Sequence, residues 1–294
     1  MESKYLEAIN AYKVTTDEAA IKADIQKILD EHMEENRTPD VLRFLFSSID
    51  LTTLKSTDSM QSVSDFTEKV NQFENDYGEL PPVAGICVYP VFAPVVRSVL
   101  EVSRVRVVAV SGGFPTSQTF PEVKVAETAL AVEGGADEID IVLNLGNFFD
   151  KDYQEVCDEI EEIRHSCRNA RLKVILETGA LKTPENIKAA SVLALYSGAA
   201  FLKTSTGKEY PGASLEAAYT MLHCIKEYYE RTSIMVGFKA AGGVATTDEA
   251  LKYYTLVKEI LGEKWLDSDY FRIGASRLAN NLLSDIEGQE IKFF

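Results

Sequence analysis

Eight short apolar, β-branched runs recur along this chain, with amphipathic helical stretches between them. They are LFSSIDL (45–51), GICVYP (85–90), VRVVAVS (105–111), EIDIVLNL (138–145), LKVILET (172–178), AFLKTST (200–206), IMVGFKA (234–240) and YFRIGAS (270–276). Near-continuous apolar strands alternating with helices indicate a parallel sheet whose outer face is covered. Eight such units fit a closed (β/α)8 TIM barrel, which takes about 250 residues, better than an open doubly wound sheet. No G-x-G-x-x-G follows the first run, which disfavours dinucleotide binding.

The intervening segments carry start and stop signals. Gly134 and Gly135 stop one helix, Thr183-Pro184 opens another that ends at Gly198, and a third runs from cap Thr247 to Gly262. Ahead of the first run, Thr16 can cap a polar helix whose Ile21, Ile25, Ile28, Leu29 and Met33 share one face. There is no linker and no second composition regime. The expected organisation is an N-terminal helical extension, 1–42, on a catalytic barrel, 43–294.

Composition narrows the class of function. The chain is 46% hydrophobic and 26% charged, too apolar for a disordered protein. Its 46 acidic residues against 30 Lys and Arg give a formal charge of -16. Phosphate-backbone or anionic-membrane binding needs a basic surface, so neither a nucleic acid nor a membrane is expected as partner. No apolar segment reaches the roughly 18 residues of a membrane span. The opening MESKYLEAINAYK has no apolar signal-peptide core, so a cytoplasmic protein is expected.

Histidine and cysteine usage exclude further chemistries. Cys87, Cys157, Cys167 and Cys224 form no C-x-x-C pair and read as buried reduced thiols. His32, His165 and His223 fall in helical stretches and share no metal-binding spacing, so a zinc hydrolase, a zinc aldolase and a Ser-His-Asp triad all fit poorly. No metal and no cofactor is expected. The chemistry falls to Lys, Asp and Glu.

In a barrel the reacting groups sit at the C-terminal ends of strands. Ionisable residues inside the apolar runs therefore stand out: Asp50, Asp140, Glu177, Lys203 and Lys239. A salt bridge at a strand mouth would account for either lysine alone. Two lysines on consecutive strands, with strand-borne carboxylates, suit Schiff-base chemistry. Only a neutral amine attacks a carbonyl, and an ordinary lysine pKa of about 10.4 keeps it protonated near neutrality. A neighbouring ammonium and desolvation lower that pKa. Gly242-Gly243 and Gly274-Ala275-Ser276 follow the seventh and end the eighth run, the usual place for a phosphate held by backbone N–H groups.

The segments ICVYP, EIDIVLNLG, LKVILETGALK, FLKTSTGK, VGFKAAGGV and FRIGAS, in this order, resemble the deoxyribose-phosphate aldolases. The resemblance covers roughly residues 43–285. It implies a class I, Schiff-base aldolase that interconverts 2-deoxy-D-ribose 5-phosphate with acetaldehyde and D-glyceraldehyde 3-phosphate. By position, it makes Lys203 the nucleophile, Lys239 the lysine that perturbs it and Asp140 the proton carrier. It also places Asp50 in the site network, and Lys208, Gly242, Gly243, Gly274 and Ser276 around the substrate or its phosphate. Ala245 stands where many members have Arg, and Arg277 where many have a second serine, so Arg277 becomes a candidate phosphate contact. The chain ends in IKFF without the tyrosine seen in some members, so the tail is expected to have no catalytic role. The implied partner is a small-molecule sugar phosphate, with a homodimer left open. Two alternatives remain: another lysine aldolase or transaldolase acting on a ketose phosphate, and an inactive sugar-phosphate binder.

Overall fold

The computed structural model describes residues 2–294, with side-chain environments from residue 4 onward. Eight strands close a barrel in sequence order: β1 (Ile49–Thr52), β2 (Gly85–Val88), β3 (Arg106–Ser111), β4 (Glu138–Val142), β5 (Arg171–Ile175), β6 (Phe201–Lys203), β7 (Gly237–Ala241) and β8 (Phe271–Ala275). Every neighbouring pair is parallel, including β1 with β8. Helices lie between the strands in sequence, among them Pro121–Glu133, Tyr153–Ser166, Pro184–Tyr196, Leu215–Thr232 and Thr247–Leu261, and Arg277–Glu287 follows β8. The fold is a (β/α)8 TIM barrel. Among the described residues no helix is long and apolar enough to cross a membrane.

Strand alternation explains the pattern of the runs. Ile49, Leu51, Ile139, Ile141, Leu172, Val174, Leu202, Phe238, Ala240 and Ile273 join one large apolar cluster with the helices. The residues between them face inward. On β2 and β3 these are Cys87, Val108 and Val110, which pack together with Leu54. On β1 and β4–β8 they include Asp50, Glu138, Asp140, Lys173, Lys203, Lys239 and Arg272, all buried. One wall of the barrel interior is apolar and the rest is charged. Gly85 makes the charged layer possible where it meets β2: a Cβ there would lie 2.9 Å from Asp50 Oδ1 and 3.1 Å from the Arg106 carbonyl.

Several boundaries differ from expectation. In LFSSIDL only Ile49 onward is strand, because Leu45–Ser47 complete a helix that Thr38 caps and Pro39 opens. That helix, Pro39–Ser47, runs across residue 42. IMVGFKA begins with residues outside the sheet, and Ile234 is exposed. Asp17, rather than Thr16, caps Glu18–His32, its Oδ1 accepting from the N–H groups of Ala19 and Ala20. Thr246, rather than Thr247, caps Thr247–Leu261 and forms a reciprocal box with Glu249. In each case the capping oxygen must sit one residue before the first helical turn to reach its orphan N–H groups.

The N-terminal helices lie outside the barrel. Glu18–His32 packs on Leu215–Thr232 and Thr247–Leu261, burying Ile21 and Ile25. Tyr219 Oη donates to Asp24 at 2.8 Å, and Asn36 Nδ2 to Thr255 Oγ1 at 3.1 Å, which ties the two layers together.

Candidate active site

Three strand registers bring the charged residues together. Lys203 pairs with Lys239, Asp140 with Lys173, and Lys239 with Arg272 as direct cross-strand neighbours. Asp140 is the hub. Its Oδ2 accepts from both Lys203 Nζ and Lys239 Nζ at 2.8 Å, and its Oδ1 from Lys173 Nζ at 2.9 Å. Asp50 accepts from Lys239 Nζ through Oδ2 and from Arg272 Nη1 through Oδ1, each at 2.5 Å. Deeper still, Arg272 forks onto Glu138 at 2.9 and 3.2 Å, and Lys173 Nζ lies 2.5 Å from Glu138 Oε2. The Phe201 ring closes this layer, 5.9 Å from the Arg272 guanidinium and 5.7 Å from Lys173 Nζ.

Burial and charge pull the two central lysines in opposite directions. Burial, helped by the neighbouring Lys239 charge, pushes Lys203 below its ordinary pKa despite Asp140. Burial acts on Lys239 in the same sense, yet Asp140 and Asp50 together carry it above the usual lysine value. Asp140 is penalised by burial, but Lys173, Lys203 and Lys239 hold it well below the carboxylate range. Burial likewise opposes ionisation of Asp50, and Lys239, Arg272 and Lys173 overcome it. Lys239 and both aspartates thus stay charged, while burial loosens the proton of Lys203.

Lys203 is also the network's only group on the wall of the adjoining cavity, which measures about 640 Å³. Asp50, Asp140 and Lys239 lie beneath that wall and do not line it. Lys208, Gly242, Gly243, Gly274, Ser276 and Arg277 all do, so the residues singled out for phosphate are gathered at one mouth. Gly242 has φ +84°, and a Cβ on it would lie 2.9 Å from Gly212 Cα, so only glycine lets these loops meet. Ser276 precedes Arg277–Glu287 without capping it by its side chain. Arg277 is exposed and forms no ion pair among the described residues. Ala245, the other departure, also faces this cavity.

Glu177 holds the loop that carries Lys208. It adopts a left-handed backbone, φ +57°, and its carboxylate accepts from Thr206 Oγ1 at 2.5 Å and Thr206 N–H at 3.2 Å. Lys208 Nζ then donates to the Leu54 carbonyl across the mouth. The tail contributes as well. Phe294 lines the cavity, and Asn280 Oδ1 accepts from the N–H groups of Phe293 and Phe294 at 3.0 and 2.9 Å. An apolar ring there shapes the wall and offers no proton.

Three charged residues escape notice in the sequence: Glu138, Lys173 and Arg272. Each stands at an inward position of an apolar run, in EIDIV, LKVIL and FRIGA, the same signal that marks Asp140 and Lys203. The four cysteines are buried and free, as expected, and Cys87 sits in the apolar wall.

Comparison with known proteins agrees with this architecture. The family model described as DeoC/LacD family aldolase matches residues 44–259. The deoxyribose-phosphate aldolase of Mus musculus is 39% identical over 255 residues, covering 82% of this chain and 78% of that protein. That of Homo sapiens is 38% identical over 251 residues, with the same two coverages. The solved structure of deoxyribose phosphate aldolase from Aeropyrum pernix shares the fold, with a TM-score of 0.65 at 24% identity over 89% of this chain and 96% of that one. An enzyme that makes or breaks carbon–carbon bonds, this chain belongs to the DeoC/LacD family of aldolases.

Proposed function

We propose that the barrel, residues 43–294, cleaves 2-deoxy-D-ribose 5-phosphate reversibly to acetaldehyde and D-glyceraldehyde 3-phosphate through a Schiff base on Lys203, in deoxyribonucleoside catabolism. One observation carries this reading: of the seven charged groups in the barrel network, only Lys203 reaches the cavity, and it is the lysine whose proton is loosened. The names of the mouse and human relatives support the choice of substrate.

The neutral Lys203 amine adds to the C1 aldehyde of the open-chain sugar, and loss of water leaves an iminium. Removal of the C3 hydroxyl proton breaks the C2–C3 bond, releasing glyceraldehyde 3-phosphate while the bonding pair flows into the iminium to form an enamine. Protonation at C2 and hydrolysis then free acetaldehyde. Asp140, bonded to both lysines, carries protons for these steps, through an ordered water where it lies below the cavity wall. The phosphate takes backbone N–H groups of Gly242, Gly243 and the end of β8 at Gly274–Ser276, at the open end of Arg277–Glu287. Lys208 and Arg277 add charge.

Borohydride reduction in the presence of acetaldehyde, followed by peptide mapping, tests the assignment. An ethyl group on Lys203 is the expected result. Label on Lys239 instead would reverse the two roles, and no label would remove the Schiff base altogether.

A further inference from the structure

Counting charges in the barrel interior gives an odd number. Arg272, Asp50, Lys239, Asp140, Lys173 and Glu138 form a closed ring in which cations and anions alternate, each bonded to the next. The ring holds three of each sign and is neutral. Lys203 is a seventh member, attached only through Asp140 Oδ2, an oxygen that Lys239 already occupies. We propose that Glu138, Lys173 and Arg272 are positioning residues that close this neutral ring, and so leave Lys203 as the one cation with no anion of its own.

Other groups facing Lys203 do not supply the missing charge. Cys87 on β2 stays a thiol, because burial pushes its pKa up. The inward residues of β3, Val108 and Val110, are apolar. Glu177, after β5, is engaged by Thr206 and makes no salt bridge among the described residues, so it acts on Lys203 only at a distance. Lys208, on the cavity side, is a further cation. A buried cation that must share its only anion with another cation is costly, and the site relieves that cost by releasing the Lys203 proton. The distant Glu138–Arg272 fork then acts on the nucleophile without touching substrate. It sets the charge total against which Lys203 titrates.

The inference rests on Lys203 being the nucleophile, and pH-resolved borohydride trapping with acetaldehyde separates the two claims. Absence of label on Lys203 in the unaltered enzyme defeats the functional reading. With label present, the pH at which trapping falls to half tests the ring. In the unaltered enzyme this acid limb lies below the ordinary lysine value of about 10.4, and a limb at that value overturns the proposal. Arg272→Met removes a cation, so Lys203 keeps its proton and the limb moves up by about one unit, a tenfold loss of rate below it. Glu138→Gln removes an anion and moves the limb down by about as much. Either single variant decides alone if the other fails to fold. The Glu138→Gln/Arg272→Met double variant restores neutrality and returns the limb to its original place, a non-additive outcome that a purely structural fork does not produce. Arg272→Lys, which preserves the charge, leaves the limb unmoved. Single variants that lose rate with an unshifted limb, or a double variant displaced by about a unit, overturn the proposal.

Discussion

Two buried lysine clusters in this molecule look alike and differ in stoichiometry. Between the helices Pro121–Glu133 and Tyr153–Ser166, Lys124 Nζ donates to Glu159 Oε2 and to Ser117 Oγ, both at 2.8 Å, and Asn144 Nδ2 reaches the same carboxylate oxygen at 3.3 Å. One cation meets one anion, neutral donors and acceptors complete the shell, and no charge is left over. Inside the barrel four cations share three anions. Burying a matched pair buys shape and specificity of packing. Burying an unmatched one creates a group whose proton is loosely held. Lys124 and Lys203 thus differ in the count of their partners more than in depth, since both are buried.

The largest effect that tests this contrast is expected at Lys203. Lys203→Ala should abolish turnover and borohydride labelling together while the protein remains folded; residual turnover with label elsewhere would dissolve the contrast. Asp140→Asn comes next, with kcat lowered at least about a hundredfold, the usual cost of a lost proton carrier. If Asp140 only held the lysines in place, the variant would lose stability or shift its pH optimum but keep most of its rate at that optimum. At the rim, Arg277→Ala should raise KM for the 5-phosphate sugar about tenfold, equivalent to about 1.4 kcal/mol, and leave kinetics on unphosphorylated deoxyribose unchanged. Equal effects on both sugars would assign the phosphate to backbone and Lys208 alone. The matched pair gives the smallest kinetic effect. Glu159→Gln should cost roughly 3–5 kcal/mol in unfolding by leaving Lys124 buried and uncompensated, with kcat/KM within about twofold of the parent.

What could be read from the chain follows the range of the interactions involved. Strand–helix alternation is local, so the barrel and most of its eight strands were legible, and so were Asp140, Lys203 and Lys239 as charges out of place in apolar runs. The start of β1 was not, because Leu45 and Phe46 suit either a strand or the last turn of an apolar helix face, and Thr38-Pro39 upstream decides the matter. Glu138 and Arg272 were harder for another reason. Their bonds span 134 residues and exist only because β8 closes against β1. A lone Arg in FRIGAS carries no sign of the glutamate it will meet. The rim residues depended on the resemblance, since glycines and a serine after a strand look the same in any tight turn.

The pairing of Lys203 with Lys239 lies in the hydrogen-bond ladder of β6 and β7. Their spacing is therefore a property of the scaffold and is indifferent to whatever the rim does. The segments that line the opening, including Gly207–Lys208, Gly242–Ala245 and Ser276–Arg277, are separate pieces of chain that can be rewritten one at a time. Reactivity and substrate choice are thus independently heritable in this architecture. A lineage, or a designer, can trade Arg for Ala at one loop and serine for Arg at another, altering which molecules gain admission while the buried lysine pair is inherited intact.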